Sequence, residues 1–225
     1  MSNKFQEIIQ ELRAVVFGSR NIMDAIIPPL LFLLLIRWAG FSFAAWSALG
    51  VSLLLVIWRA ARRQSMKTAV SGVIGVLISL ALVRLLNREE SFFLPGILTG
   101  VGTVLVGFGS IIAGKPMVAW TSGLARRWPW AWYWHPRVRP AYTEVTWFWI
   151  IFFLARVLLQ LNLFQEQAAA RLAGVNLLLG WPATLLLLII SYVYGTWRLK
   201  NLGGPSVEEF LQGTPPPWQS QQRGF

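Results

Sequence analysis

Six long apolar stretches dominate this chain of 225 residues and restrict it to one class of fold. A helix needs about 20 apolar residues to cross the hydrocarbon core of a bilayer. Only 13% of the residues are charged, whereas a soluble domain carries about 25% because its surface must be wetted. The sequence therefore predicts an all-α, polytopic membrane bundle of about six transmembrane helices. The predicted spans are Ile22 to Ala39, Phe41 to Trp58, Thr68 to Leu86, Ser91 to Ala113, Glu144 to Leu163, and Gly174 to Trp197.

Lysine and arginine are distributed unequally between the two ends of these spans. Fifteen flank one side and four flank the other, with Arg156 inside the fifth span. Because positively charged loops stay on the cytoplasmic side, this asymmetry predicts that both termini are cytoplasmic. The corner at residues 37–40 allows one very long helix or a tight hairpin, and Gly40 with the charge of Arg37 favours the hairpin.

The remaining segments flank or interrupt this membrane domain, which covers residues 21–200. Residues 1–20 place their apolar side chains on one helical face, which predicts a cytoplasmic amphipathic segment. That segment either lies on the membrane or packs on the bundle. Residues 201–225 are rich in proline and predict a flexible extension.

The segment from residue 115 to 142, here called the Trp-rich segment, mixes aromatic and basic side chains. Such a mixture suits the headgroup layer of an anionic inner leaflet. It also suits stacking on single-stranded nucleic acid, but the predicted spans on both sides favour lipid. The sequence thus predicts the bilayer as partner, together with membrane proteins or a second copy of the chain, and not nucleic acid. The aromatic residues are Trp120, Trp128, Trp130, Trp132, Tyr133 and Trp134.

The sequence contains no recognisable set of catalytic residues. The chain has no cysteine and one histidine, His135, so a thiolate site or a histidine-based metal site would lack ligands. No glycine-rich phosphate loop and no nucleophile elbow are present. The sequence therefore predicts a protein that is not an enzyme and binds no metal or cofactor.

Polar residues inside the fifth span form the main candidate site. Arg156, Gln160 and Asn162 follow one another in an otherwise apolar helix, and an intramembrane cation costs roughly 2.5–3.5 kcal/mol on insertion scales. One hypothesis is a group that contacts an anion or substrate in a cavity. The favoured alternative is an arginine that snorkels outward and pairs with Glu89 or Glu90.

Further polar and small residues complete the set of candidates. Asp24 and Glu144 stand at helix starts, where a carboxylate favours the helix dipole, although burial would also permit a proton relay. Asn176 is expected to form a hydrogen bond between helices, worth about 1 kcal/mol in a membrane. Gly96 and Gly100 are spaced for close approach of two helices.

Several short strings together resemble a family of bacterial integral membrane proteins that is catalogued as a domain of unknown function. The family in turn is distantly similar to intracellular septation protein A. The resemblance covers roughly residues 24–198, implies a compact multi-span inner-membrane protein, and supplies no catalytic residues. The strings are Ser71–Gly75, Phe92–Gly96, Gly114–Val118, Arg139–Thr143 with Thr146–Trp147, and Gly180–Pro182.

Two functional hypotheses from different classes follow. The leading one is a non-enzymatic protein of the bacterial inner membrane that organises or helps to assemble other envelope components. The alternative is a small-solute transporter or channel that uses Arg156 and Gln160. A membrane-bound enzyme acting on lipids is the least favoured, because no nucleophile or acid–base pair is present.

Overall fold

The computed structural model describes residues 21–62, 67–221 and 224–225, and every regular element in these ranges is helical. The predicted amphipathic segment, residues 1–20, lies outside the described residues. The helices are α1 (Asn21–Ala61), α2 (Lys67–Leu86), a 3-10 helix (Glu89–Phe93), α3 (Leu94–Ile112), α4 (Met117–Arg126), α5 (Trp130–Tyr133), α6 (Arg139–Gln165), α7 (Ala169–Leu178), α8 (Trp181–Leu202) and α9 (Val207–Gln212).

Helix α1 consists of two arms that meet at Gly40. This residue has φ 80° and ψ 169°, a backbone conformation that is open essentially to glycine alone. The rings of Phe32 and Phe41 meet edge-on at 5.8 Å. In a continuous helix those residues would lie on opposite faces and about 13 Å apart along the axis. The helix is therefore sharply kinked at Gly40, and the hairpin of two separate spans stays a prediction.

The chain divides into two compact units. The first unit comprises Met1–Pro95 and Leu163–Leu177. Its buried core joins both arms of α1 to Ala173 of α7, and the ring of Phe92 stacks on Phe32 with centroids 5.0 Å apart. The core residues are Phe32, Phe41, Ala44, Ala45, Ala48 and Ala173.

The second unit comprises Gly96–Asn162 and Leu178–Phe225. Its buried core is aromatic and lies among α4, α5, the start of α6, the end of α8 and the last residue of the sequence. Packing rather than headgroup contact therefore accounts for much of the Trp-rich segment. The core residues are Ala119, Trp132, Tyr133, Val138, Ala141, Tyr142, Val145, Leu199 and Phe225.

Four helical stretches in the described part of the chain are long and apolar enough to cross a membrane: Leu30–Ala61, Glu89–Ile112, Arg139–Gln165 and Ala169–Leu202. A shorter apolar helix covers Val70–Leu86. Large apolar side chains point outward from these helices, since Leu85 is 79% exposed and Ile112 is 85% exposed. Such surfaces indicate contact with the hydrocarbon of a bilayer. The count of six spans and the cytoplasmic location of both termini stay predictions.

The sixth predicted span, Gly174 to Trp197, is not one continuous helix. Helix α7 ends at Leu178 and α8 begins at Trp181, with Gly180 as its N-cap. Pro182 stands in the first turn of α8, where its missing N–H costs no helical hydrogen bond and its ring fixes the backbone at a helix start. The break follows from this Gly-Trp-Pro sequence, which marks a helix start inside an unbroken apolar run.

Candidate functional site

The predicted polar residues of the fifth span lie on α6 in the second unit. Arg156 is half-buried, and its guanidinium carbon lies 6.0 Å from the ring centre of Phe153. Gln160, one turn further, is fully buried, whereas Asn162 is exposed. Arg156 and Gln160 share one face of the helix because they are four residues apart. Asn162 faces another direction, so only the first two form a polar pair.

The predicted partners of Arg156 belong to the first unit. Glu90 is buried and its Oε2 lies 3.8 Å from Nε of Arg88, while Glu89 is exposed. Arg88 also donates from Nη2 to the main-chain oxygen of Phe164 at 3.0 Å. A cation at these last carbonyls of α6 is favoured by the helix dipole. Pairing of Glu89 or Glu90 with Arg156 stays a prediction.

An open cleft of about 470 Å³ lies beside Arg88 in the first unit. Its lining combines the cations Arg84 and Arg88 with the rings of Phe41 and Trp46. A second cleft of about 460 Å³ shares Phe41 and Glu89 with it. Each cleft therefore carries charged groups of both signs beside apolar side chains.

Glu144 forms a fixed ion pair within the second unit. Arg198 on α8 donates from Nε to Oε2 at 2.7 Å and from Nη2 to Oε1 at 2.8 Å. The hydroxyl of Tyr194 also donates to Oε2 at 2.7 Å. A bidentate arginine–carboxylate pair is among the stronger polar contacts in proteins. Glu144 therefore ties α6 to α8 rather than only capping α6.

Asn176 and Asp24 are the two other polar candidates from the sequence. Asn176 donates from Nδ2 to the carbonyl of Leu172 at 2.9 Å, a bond within its own helix. Asp24 lies in α1, but its side chain is outside the described residues. Among the residues that the structure describes, no group of three His, Cys, Asp or Glu side chains is placed to hold a metal ion.

Close approach of α3 and α6 depends on two glycines seven residues apart. A Cβ at Gly100 would lie 2.7 Å from Cγ2 of Val157, and one at Gly107 would lie 2.7 Å from Cγ1 of Ile150. Gly100 is thus at a packing position, as the sequence predicts. Gly107 is a second contact glycine that the spacing did not identify, and a packing role of Gly96 stays a prediction.

The Trp-rich segment folds into α4, α5 and the first turn of α6. Trp132 and Tyr133 are fully buried, and Trp132 donates from Nε1 to the main-chain oxygen of Pro205 at 2.8 Å. Tyr133 OH lies 3.1 Å from Oγ of Ser122, and burial raises the pKa of the Tyr133 phenol. These buried rings are core residues, which corrects the prediction that the aromatic residues as a group lie at the headgroups.

A different subset of the Trp-rich segment remains exposed. Trp120 is 44% exposed, Leu124 is 73% exposed, and both lie on one face of α4. Arg127 ends α4 in a left-handed conformation and is exposed, and Trp130 packs over Gly123 of that helix. We call Trp120, Leu124, Arg127 and Trp130 the basic–aromatic face. It combines apolar area with positive charge, and residues 115–143 contain no acidic residue.

The chain was compared with protein families, curated proteins and solved structures. A family described as a protein of unknown function, DUF3159, matches residues 16–200. The chain belongs to the DUF3159 family. No curated protein and no solved structure matches it. The predicted resemblance to a family of unknown function is confirmed, whereas the similarity to septation protein A stays a prediction.

The family match ends before the tail of this DUF3159 chain, and the tail has its own defined contacts. Ser206 and Glu209 form a capping box at the start of α9. Glu209 also accepts a hydrogen bond from the Gln219 N–H at 2.8 Å, and the main-chain donors of Gln219 and Ser206 lower its pKa. Flexibility of residues 201–225 stays a prediction, but the tail is not an extended chain in this structure.

The tail also covers the single histidine of this DUF3159 chain. The ring of Trp218 meets that of His135 edge-on at 5.4 Å, and the guanidinium of Arg137 lies 5.5 Å from the Trp218 ring. Burial and the charge of Arg137 lower the pKa of His135. His135 therefore packs against aromatic rings in this structure, and the absence of a catalytic role stays a prediction.

Sequence reasoning missed two features that the fold creates. Arg88 was counted only as a flanking charge, although it caps α6 within the first unit. Phe225 was assigned to a loose tail, although it is 9% exposed within the aromatic core. The only sequence signal for the burial of Phe225 was an aromatic residue that follows a glycine.

Proposed function

We propose that this DUF3159 chain is a non-enzymatic, multi-pass protein of the bacterial inner membrane that organises or helps to assemble other membrane components. The basic–aromatic face supports this proposal. Exposed tryptophans beside an exposed arginine suit the boundary between headgroups and acyl chains, and they suit the aromatic and arginine anchors of a protein interface. The buried core beneath, with Trp132 and Tyr133 fully enclosed, gives this face a rigid support.

The rest of the proposal follows from the sequence. The surplus of basic residues on one side of the predicted spans places the Trp-rich segment in the cytoplasm. There the anionic inner leaflet attracts juxtamembrane arginine and lysine by about 1 kcal/mol per residue. A lipid or a membrane protein held at this face would be positioned beside the spans, which is the physical basis of an organising role.

Crosslinking in membranes tests the proposal. The double variant Trp120→Ala/Arg127→Ser should reduce the yield of stoichiometric membrane partners about fivefold or more, since one lost basic contact alone is worth about 1 kcal/mol. The measurement is quantitative mass spectrometry of the crosslinked, purified protein. Trp38→Ala/Arg37→Ser is the matched control, because both residues are exposed in the first unit. The absence of any stoichiometric partner of the wild type, or equal losses for both variants, would contradict the organising role.

Transport of a small solute is the second candidate, and the polar pair of Arg156 and Gln160 on one face of α6 favours it. Buried polar groups inside a span commonly line a solute pathway. The chain has no cysteine, so single-cysteine labelling needs no background correction. In a transporter, Gln160→Cys should react with a membrane-impermeant thiol reagent and Leu158→Cys, on a 59% exposed apolar position, should not. Sustained protection of both cysteines would exclude a water-filled cavity.

A further inference from the structure

The ring of Phe225 occupies a socket in the second unit that is shaped for an aromatic side chain. It stacks on Tyr142 with ring centroids 4.3 Å apart and an interplanar angle of 13°. On the other side lies Gly195 of α8, where a Cβ would come within 2.3 Å of the ring. Ala119 and Leu199 belong to the same buried cluster. A flat ring therefore fits between a tyrosine face and a helix that lacks a side chain at this point.

The socket contacts the main chain around Phe225 as well as the ring. Arg126 donates from Nε to the main-chain oxygen of Phe225 at 3.0 Å. Its guanidinium also lies close to the preceding residue, because a Cβ at Gly224 would lie 2.7 Å from Nη2 and the arginine would have to shift. Gly224 has φ +88°, a conformation that favours glycine. The socket thus selects a glycine followed by an aromatic residue, with one main-chain acceptor.

The tail that carries this ring alternates between exposed and anchored residues. Pro215, Pro216, Pro217 and Gln219 are exposed, whereas Ser220 and Gln221 are buried near the end of the sequence. Exposed proline positions can be displaced without breaking packed contacts. The ring and its neighbours therefore hold the last residues of the tail, in addition to the contacts of Trp218 and Gln219.

We infer that this socket is a peptide-binding site for a polypeptide segment in which glycine precedes an aromatic residue, and that Phe225 is its resident occupant. A partner segment binds when it displaces the tail, since the tail offers the same ring and main-chain oxygen from within the chain. Because the tail belongs to the same chain, it competes with the partner segment for the socket at a high effective concentration. The inference rests on the proposed organising function, because it names the chemistry of a partner that such a protein would hold.

A labelled peptide with the sequence of residues 221–225, amidated at its end, tests the site on the full chain in lipid nanodiscs. We expect saturable binding to Phe225→Ala and at least tenfold weaker binding to the wild type, measured by fluorescence polarisation. A peptide with alanine in place of phenylalanine should not bind. Adding Gly195→Val to Phe225→Ala should abolish binding. Gly109→Val is the matched addition that should preserve it, because nothing lies within 4 Å of its Cβ position.

A second measurement covers the case in which Phe225→Ala does not fold, as judged by circular dichroism. In a chain that carries only Ser220→Cys, saturating peptide should raise the rate of thiol labelling at least fivefold, because the tail leaves its buried position. Absence of this acceleration, or peptide binding that survives Gly195→Val, would overturn the inference. Partner crosslinking that depends on the basic–aromatic face would be unaffected by either result, so the two proposals fail separately.

Discussion

Substitution of Gly195 by alanine is expected to release the tail from the second unit. The new methyl group would overlap the ring of Phe225, which lies 2.3 to 2.4 Å from the ideal Cβ position. The ring cannot move directly away from Gly195, because Tyr142 stacks against its face at 4.3 Å. Loss of one buried phenylalanine corresponds to about 2 kcal/mol, which is roughly a thirtyfold rise in the exposed population of the tail.

The rate of thiol labelling at Ser220→Cys measures this release, since Ser220 is 6% exposed. Gly109→Ala is the matched control, because its Cβ position is empty to 4 Å. The control should leave the labelling rate unchanged. Equal rates for Gly195→Ala and the control would mean that Phe225 does not hold the tail.

Alanine at Gly100 or Gly107 is expected to destabilise the second unit. The new methyl group would meet Val157 or Ile150 at 2.7 Å, and overpacking of this kind costs about 1–3 kcal/mol. The free energy of unfolding should fall by that amount in detergent titrations followed by circular dichroism. The effect arises because side chains of α6 pack directly against α3 at these two residues.

Two other glycines of α3 provide the control for helix propensity. Gly102 and Gly109 have no atom within 4 Å of the Cβ position, so Gly102→Ala and Gly109→Ala remove a glycine without a clash. They should be neutral or stabilise by up to about 1 kcal/mol. Destabilisation of equal size in both pairs would show that backbone effects, and not packing against α6, decide the outcome.

The helical architecture is largely predictable because lipid as solvent imposes a long apolar stretch on each span. The third, fourth and fifth predicted spans correspond closely to α2, α3 and α6. Gly40 was identified as a corner because only glycine is open to such a backbone turn. The break at Gly180 was missed, since an apolar run that continues through a helix boundary produces no change in hydropathy.

The candidate site was less predictable, because it depends on which side chains meet across the fold. Gly100 was identified from its spacing, whereas Gly107, which contacts α6 seven residues further along α3, was not. Composition could not separate the buried Trp132 from the exposed Trp120. The charge of Glu144 suggested a cap, whereas its bidentate partner Arg198 lies on a helix 54 residues away in sequence.

The sequence by itself determined that the protein is surrounded by lipid. Long apolar runs and few charged residues require a bilayer around the outer surface. It also determined most helices, because their period and length are local properties. Only the tertiary structure decided which tryptophans are core and that the last phenylalanine fills a socket between Tyr142 and Gly195. Those facts depend on contacts between residues distant in sequence, and a local pattern carries no information about which distant surface will cover it.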